Sequence, residues 1–323
     1  MNQKTSHHHF EGINSTGPVL VIGSASMDII GRLKDEMLPE TSNPAMIRTT
    51  FGGVARNVAE NLARLGQSVT LLTAVGQDQE GDQLLQQAAS AGVNIEAVLR
   101  TAGHPTSSYL AILEPSGQMK FALDDMRALT ALTAAEIRQR SDLFRQASVL
   151  FVDANLTREA LRTTISLAQK ARLPICADPV TAGLAVRLQP HLSKLSLITP
   201  NNVEAGVLCG CEFRASNRRQ ALQIAQNLVS QGVGIAIISL AEYGVCYATS
   251  TTSGYLPAIR TRILDATGAG DALTATVIFA LLNEIPIDEA VRLGVSAAAM
   301  TLNTRGAVAP DLSLEKLYDR LVI

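Results

Sequence analysis

Apolar residues fall along this chain in two rhythms. Short β-branched runs of strand length alternate with longer stretches whose apolar positions recur three and four apart. Val19–Ile22 is the first such run, and it ends at Gly23. In Arg56–Leu65 the residues Val58, Leu62 and Leu65 share one helical face, and Gly66 stands where a helix C-cap belongs. Val69–Ala74 follows as the next apolar run. Val149–Val152 then precedes a helix-like Thr157–Ala171, and Pro174–Ala177 leads into Asp178-Pro179. Leu197–Thr199 leads into Asn201 and another helix-like stretch, while Ile235–Leu240 follows the helix-like Arg218–Gln231. Continuously apolar strands are buried on both faces, and strand–helix alternation builds right-handed βαβ crossovers. The pattern therefore predicts an α/β fold: a mostly parallel central sheet between two helical layers.

Two segments break the rhythm. Residues 28–50 read as extended, with Pro39 and Pro44 and no helical period. Residues 106–123 read as a hairpin: Ser108–Leu113, a turn at Pro115-Ser116-Gly117, then Met119–Leu123. A parallel core has no need of these strands. They are expected to form a small separate sheet that covers a cleft, the alternative being an extension of the main sheet's edge. No low-complexity linker divides the chain, so residues 19–323 read as one domain behind a polar leader, 1–18.

Composition narrows the classes of function. Hydrophobic residues make up 47% of the 323 residues, enough for a large core and too many for global disorder. Lys and Arg number 27 against 29 Asp and Glu, a balance that gives no electrostatic footprint for nucleic acid or an anionic membrane. Apolar stretches such as Thr274–Leu282 are too short to span a bilayer. The first eighteen residues lack the basic start and apolar run of a signal peptide, so the cytoplasm is the expected compartment. Four cysteines are too sparse for a disulfide scaffold. Cys209 and Cys211 stand two apart without the further ligands a metal site needs, and read as small hydrophobes. His7–His9 lie in the leader, native or a tag remnant, where nothing preorganises a metal.

The chemistry concentrates in two glycine-rich turns. In Asp265-Ala266-Thr267-Gly268-Ala269-Gly270-Asp271 a strand-like end passes through tiny residues into the apolar stretch Ala272–Leu282. With almost no side chain at Gly268, Ala269 and Gly270, backbone N–H groups at a helix N-terminus can approach an anion, and the helix end adds partial positive charge. Such a cluster suits a developing phosphoryl charge. Asp271 falls in the first turn. Capping alone would account for it; the other reading makes it the base that takes a hydroxyl proton beside the held phosphate. The second turn, Gly52-Gly53-Val54-Ala55-Arg56-Asn57, opens a helix, and Asn57 offers donors and acceptors suited to vicinal hydroxyls. Upstream, Gly23-Ser24-Ala25-Ser26-Met27-Asp28 leaves the first strand at its carboxyl edge, where open parallel sheets bind ligands.

Gly52-Gly53-x-x-x-Asn57 and Asp265-x-Thr267-Gly268-Ala269-Gly270-Asp271, in this order, resemble the ribokinase-like (PfkB) carbohydrate kinases from about Val19 to Ile323. The resemblance implies a three-layer α/β/α fold with a small β-sheet lid. It implies an ATP-dependent kinase in which Asp271 is the base and Gly268, Ala269 and Gly270 form the anion hole. It assigns Ser26, Asp28, Gly52, Gly53 and Asn57 to the sugar, and Asn201, Ser239, Ala241, Gly244, Thr267 and Asn303 to ATP. Asn201-x-x-Glu204 matches the family element that meets magnesium through water. Asp265 and Thr267 match part of a monovalent-cation site, which implies potassium stimulation. Two positions depart from the pattern. Ala241 stands where a glycine is usual, at a cost to the nucleotide loop if positive φ is required. Ser26 stands where many relatives have Asn.

Within the family, the run from Gly52 to Leu62, Pro105-Thr106-Ser107-Ser108-Tyr109 and Asp124-Asp125-Met126 are similar to bacterial pseudouridine kinases. The implied reaction is phosphorylation of the 5′-hydroxyl of pseudouridine, with Thr106 and Ser108 on the lid meeting the base edge. Kinases of ribose, another nucleoside or another furanose remain alternatives, as does a silent ligand-binding protein on the same fold. Lid sheets of this kind often pair between subunits, so a homodimer through the lid is expected.

Overall fold

The computed structural model describes residues 17–321. Its principal sheet contains β1 (Val19–Ile22), and the chain then leaves it for β2 (Ser26–Leu33) and β3 (Ala45–Gly52). It returns at β4 (Val69–Leu72), makes the short strands β5 (Ala74–Gly76) and β6 (Leu99–Thr101), and leaves again for β7 (Ser108–Leu113) and β8 (Met119–Asp125). The remaining strands all join the principal sheet: β9 (Val149–Asp153), β10 (Ile175–Asp178), β11 (Leu197–Ile198), β12 (Ile235–Ser239), β13 (Val245–Ala248) and β14 (Ser253–Leu256). The order is β14-β13-β12-β11-β10-β9-β1-β4, and all neighbours pair parallel except β13, which runs antiparallel to both β12 and β14 at one edge.

Period-2 alternation divides the core between two layers. Val19, Val21, Val149 and Phe151 face one cluster with the helices Val54–Arg64, Ala269–Leu282 and Ile287–Leu302. Leu20, Ile22, Leu150 and Val152 face the other, with Arg158–Lys170 and Arg218–Ser230. The expected three-layer α/β/α architecture is thus present. No described helix is long and apolar enough to cross a membrane.

The predicted lid exists as a separate four-stranded sheet of order β3-β2-β7-β8, with β2 and β7 parallel and the outer pairs antiparallel. Its strands run slightly beyond the expected bounds, β8 reaching Asp125. Val69–Ala74, read as one strand, is two: β4 in the principal sheet and β5, which pairs with β6. The helix expected at Arg56–Leu65 begins at Val54, and Gly66 follows its C-cap Leu65 at φ 91°. Of the expected leader, His7–His9 lie outside the described residues. Pro18 is already fixed, its carbonyl accepting from the Ser148 amide at 3.0 Å.

Candidate active site

From β1 the chain proceeds to β4 on one side, whereas β9 flanks β1 on the other. The strand order therefore reverses at β1, and the crevice at the carboxyl ends of β1 and β9 is where such sheets bind ligands. Asp153, the last residue of β9, ties this crevice together. Its Oδ2 accepts from the Ser24 amide and hydroxyl, both at 2.7 Å, and from the Ala55 amide at 3.2 Å. Asp153 is fully buried, and burial raises its pKa. It joins the first strand's exit loop to the start of the Val54–Arg64 helix. Sequence reasoning missed it, and its signal was its place at the carboxyl end of a central strand.

Gly53 is the N-cap of that helix at φ 92°, and a Cβ there would lie 2.5 Å from the Ala25 Cα. Only glycine fits the turn. Gly52 serves Asp28 in a similar way: a Cβ would sit 2.1 Å from the Asp28 Oδ2. The Asp28 carboxylate thus lies flat against the Gly52 backbone, accepting from the Ser26 hydroxyl at 2.8 Å. Burial pushes its pKa up to about 6, against the lowering effects of Ser26 and Arg56. The doubtful Ser26 is therefore a partner of Asp28.

Asn57 lies in the first turn of the Val54–Arg64 helix and reaches Asp271, its Nδ2 donating to Oδ2 at 2.7 Å. The Asn57 Oδ1 accepts from Arg56 at 2.8 Å, which fixes which end of the amide faces the carboxylate. Arg56 is itself buried, bonded to the Phe51 carbonyl and ion-paired with Glu60. This fixed cation was not expected to support the site.

The Ala269–Leu282 helix opens at Gly268, φ 78°, where a Cβ would lie 2.0 Å from the Ala307 carbonyl oxygen. A Cβ on Gly270 would meet nothing within 4 Å, so the turn is open on that side. Amides of the first helical turn have no carbonyl one turn behind them. The N–H groups of Ala269, Gly270 and Asp271 are therefore available to an anion. Burial raises the Asp271 pKa to about 7, helped by the charges of Asp153 and Asp28 and opposed by Asn57. A pKa near neutrality in a buried carboxyl beside open amides is what a general base would need. Capping alone does not require a partner such as Asn57.

Asn201 and Glu204 form a capping box on the Asn202–Cys209 helix. The Asn201 Oδ1 accepts from the Glu204 amide at 3.0 Å, and the Glu204 Oε2 accepts from the Asn201 amide at 2.9 Å. Burial raises the pKa of Glu204. Asp178 beside it is raised well above the usual range by burial and by the Glu204 and Asp271 charges. Ser239 closes β12 opposite Asn201. Ala241 follows at φ 50°, in the left-handed region that the sequence flagged, and Gly244 at φ 92° completes the loop. Asn303 caps the Ile287–Leu302 helix, next to the loop that carries Gly306.

Two lid positions are engaged differently from the sequence expectation. The Thr106 hydroxyl donates to Asp78 and accepts from the Gly76 amide, bracing the start of the Gln79–Ser90 helix. Ser108 pairs with Met27, not Asp28, and side chains on paired residues share a face. Met27 points into a buried apolar cluster, so Ser108 lies on the face away from Asp28. The residue beside Asp28 is Tyr109. Asp265 and Thr267, matched in sequence to a monovalent-cation site, lie together: the Asp265 Oδ1 accepts from the Thr267 amide at 3.1 Å, and its Oδ2 accepts from the Gly306 amide at 3.2 Å and pairs with the Arg48 guanidinium of β3 at 2.6 Å.

Residues 18–313 match the family model described as pfkB family carbohydrate kinase. The pseudouridine kinase of Escherichia coli is 35% identical over 92% of this chain and 94% of its own. The guanosine-inosine kinase of Exiguobacterium acetylicum is 26% identical over 91% of this chain and 97% of its own. A solved Arabidopsis thaliana ribokinase, complexed with ribose and ATP, superposes with a TM-score of 0.80 at 21% identity, covering 95% of this chain and 99% of that one.

Proposed function

The chain belongs to the pfkB family of carbohydrate kinases, and from that premise we propose that it transfers the γ-phosphoryl group of ATP to the 5′-hydroxyl of pseudouridine. The observation that carries the transfer is Asp271, held by Asn57 beside three open amides. Pseudouridine as acceptor is favoured by the 35%-identical relative of that activity.

Asp28, backed by Gly52, takes the ribose hydroxyls, and Asn57 holds the sugar and Asp271 in one frame. Asp271 accepts the 5′-hydroxyl proton as that oxygen bonds to phosphorus and ADP departs with the electron pair. The amides of Ala269–Asp271 receive the charge spread over the transferring oxygens, so catalysis is positioning plus electrostatics. Ser239, Ala241 and Gly244 line the nucleotide loop. Magnesium keeps several waters and binds mainly through substrate phosphates. Glu204 and Asp178 would meet it through water, and it would neutralise phosphate charge. Potassium at Asp265 and Thr267, where Arg48 shares the carboxylate, is part of the proposal and is tested by turnover with potassium replaced by sodium.

The lid's outer face carries exposed Ile47, Phe121 and Leu123, and we infer that a second copy covers it. Leu123→Asp should then shift the dimer to monomer in sedimentation. Four free cysteines suit a reducing compartment, and we assign the enzyme to the cytoplasm. The decisive test is ATP-dependent phosphorylation of pseudouridine, uridine, ribose, inosine and adenosine side by side. A clear preference for pseudouridine supports the reading; outright preference for another acceptor replaces it and leaves the kinase assignment standing.

A further inference from the structure

The lid's inner face can be read across its strands. Residues in register share a face, so Thr50, Asp28, Tyr109 and Asp124 form one row across β3, β2, β7 and β8. The next inner row is Arg48, Ile30, Ala111 and Ala122. The β3 end of the sheet is anchored at the anion turn by Arg48 on Asp265. One strand over, Asp28 is the sugar ligand. The order β3, β2, β7, β8 therefore runs from the phosphate end of a bound acceptor, past its ribose, to whatever is attached at its anomeric carbon. Strands lie about 4.8 Å apart, so Tyr109 and Asp124 stand one and two spacings beyond Asp28.

The Tyr109 hydroxyl donates to the Met119 sulfur at 3.4 Å, and the neighbouring inner-row positions Ala111 and Ala122 are small. Burial and the charges of Asp28 and Asp124 raise the pKa of the Tyr109 phenol. Asp124 makes no ion pair among the described residues, whereas its neighbour Asp125 is paired with Arg127. A ribose kinase has no use for an aromatic platform and an acceptor carboxylate beyond the sugar. A nucleoside kinase does.

We infer that Tyr109 and Asp124 form the nucleobase subsite, the Tyr109 ring stacking on the base and the Asp124 carboxylate accepting a hydrogen bond from a ring N–H. This deepens the proposed function and rests on it. Pseudouridine, joined to ribose through carbon, keeps an N1–H at an edge where uridine presents a ring C–H. An acceptor that loses its donor on burial rejects the analogue. Asp124 thus supplies the discrimination first expected of Thr106 and Ser108.

The test is the kcat/KM ratio of pseudouridine to uridine in the wild type, Asp124→Asn and Asp124→Ala, with ribose as the baseless acceptor. The wild-type ratio is expected to be at least about tenfold. Asp124→Ala should bring it to within threefold of unity, chiefly through loss on pseudouridine, whereas Asp124→Asn, whose amide oxygen still accepts a hydrogen bond, should keep a larger part of the ratio. Tyr109→Ala should lower turnover of both nucleosides at least tenfold more than that of ribose, and Tyr109→Phe should restore it, since the ring is what stacks. An Asp124→Ala variant that keeps the wild-type ratio, or Tyr109→Ala losses equal on ribose and nucleosides, overturns the subsite. A wild type inactive on both nucleosides but active on ribose overturns the proposed function as well, and the two failures are told apart by that control.

Discussion

The anion turn and the small sheet, tied to each other by Arg48 and Asp265, are built by opposite rules. At the turn Asp271, Asp153, Asn57 and Arg56 are buried, and each is held by named partners from other segments. On the lid, Ile47 is 73% and Leu123 63% exposed, and the sheet joins the body through a few ties: Arg48 to Asp265, Met27 in a small apolar cluster, and the Thr106–Asp78 brace next to β7. A dry, over-determined site can shift a carboxyl by several pKa units and hold amides in place before the reaction, which is where electrostatic catalysis gains most. A half-wet sheet can exchange side chains at small cost to the core. The separation lets the family keep one chemistry while the acceptor changes. It also makes the two regions breakable one at a time.

The largest effect is expected at the turn. Asp271→Asn preserves size and can still accept from Asn57, but it cannot take a proton. General-base loss costs about 10²–10⁴ in rate, so kcat should fall at least about a hundredfold while ATP affinity by calorimetry stays within threefold. A variant with half the wild-type kcat would remove Asp271 from the chemistry. In the wild type, kcat/KM should fall as pH drops through about 7, where Asp271 gains its proton, and that limb should vanish from the residual activity of the variant.

The same burial costs stability, with a sign that can be checked. The folded chain binds the Asp271 proton more tightly than the unfolded chain, whose pKa is near 3.8. Stability from this group is therefore lost as pH rises from about 4 to 7. Asp271→Asn should be more stable than the wild type at pH 8, by about 1–4 kcal/mol, and should lose that advantage by pH 4. Equal unfolding curves for the two proteins at pH 8 would mean the buried carboxylate is neutralised by a route other than its own protonation.

Asp28 and Asn57 separate the sugar from the base. Among the described residues Asp28 accepts a side-chain hydrogen bond from the Ser26 hydroxyl alone, so Asp28→Ala should weaken acceptor affinity by about 1–3 kcal/mol and leave ATP affinity unchanged. Asn57 also bonds Asp271, so Asn57→Ala should lower kcat as well as raise KM. If the two variants share one kinetic signature, Asn57 is a sugar ligand alone.

Much of this was legible in residues whose reason is local. Buried strands and amphipathic helices announce themselves by period, and the two glycine turns by steric need: Gly53 and Gly268 have positive φ and no room for a Cβ. What was illegible depended on register. In sequence Thr106 and Ser108 read as the candidates to meet the base, and only the pairing of Met27 with Ser108 and of Asp28 with Tyr109 shows which residue shares a face with Asp28. A one-residue difference reverses the face. Likewise Asp153, Arg48 and Arg56 act through partners distant in sequence, and no local spacing marks a residue whose role is to hold another in place.

The smallest effect is expected at Ala241, where the nucleotide loop departs from glycine. Its φ of 50° is left-handed, a region that costs a residue with a Cβ about 1–2 kcal/mol. Ala241→Gly relieves that strain but frees the unfolded chain, a loss of about 0.4–1 kcal/mol. The net gain is thus at most about 1.5 kcal/mol, a shift of a few degrees in Tm for a chain of this size. The loop already follows the left-handed path, with the Gly244 amide bonded to the Ala241 carbonyl at 3.1 Å. Glycine therefore has no new geometry to supply, and KM for ATP should change by less than threefold. A glycine variant that bound ATP tenfold more tightly would show that alanine distorts the occupied loop, and would move the nucleotide site from the rigid side of the comparison to the adaptable one.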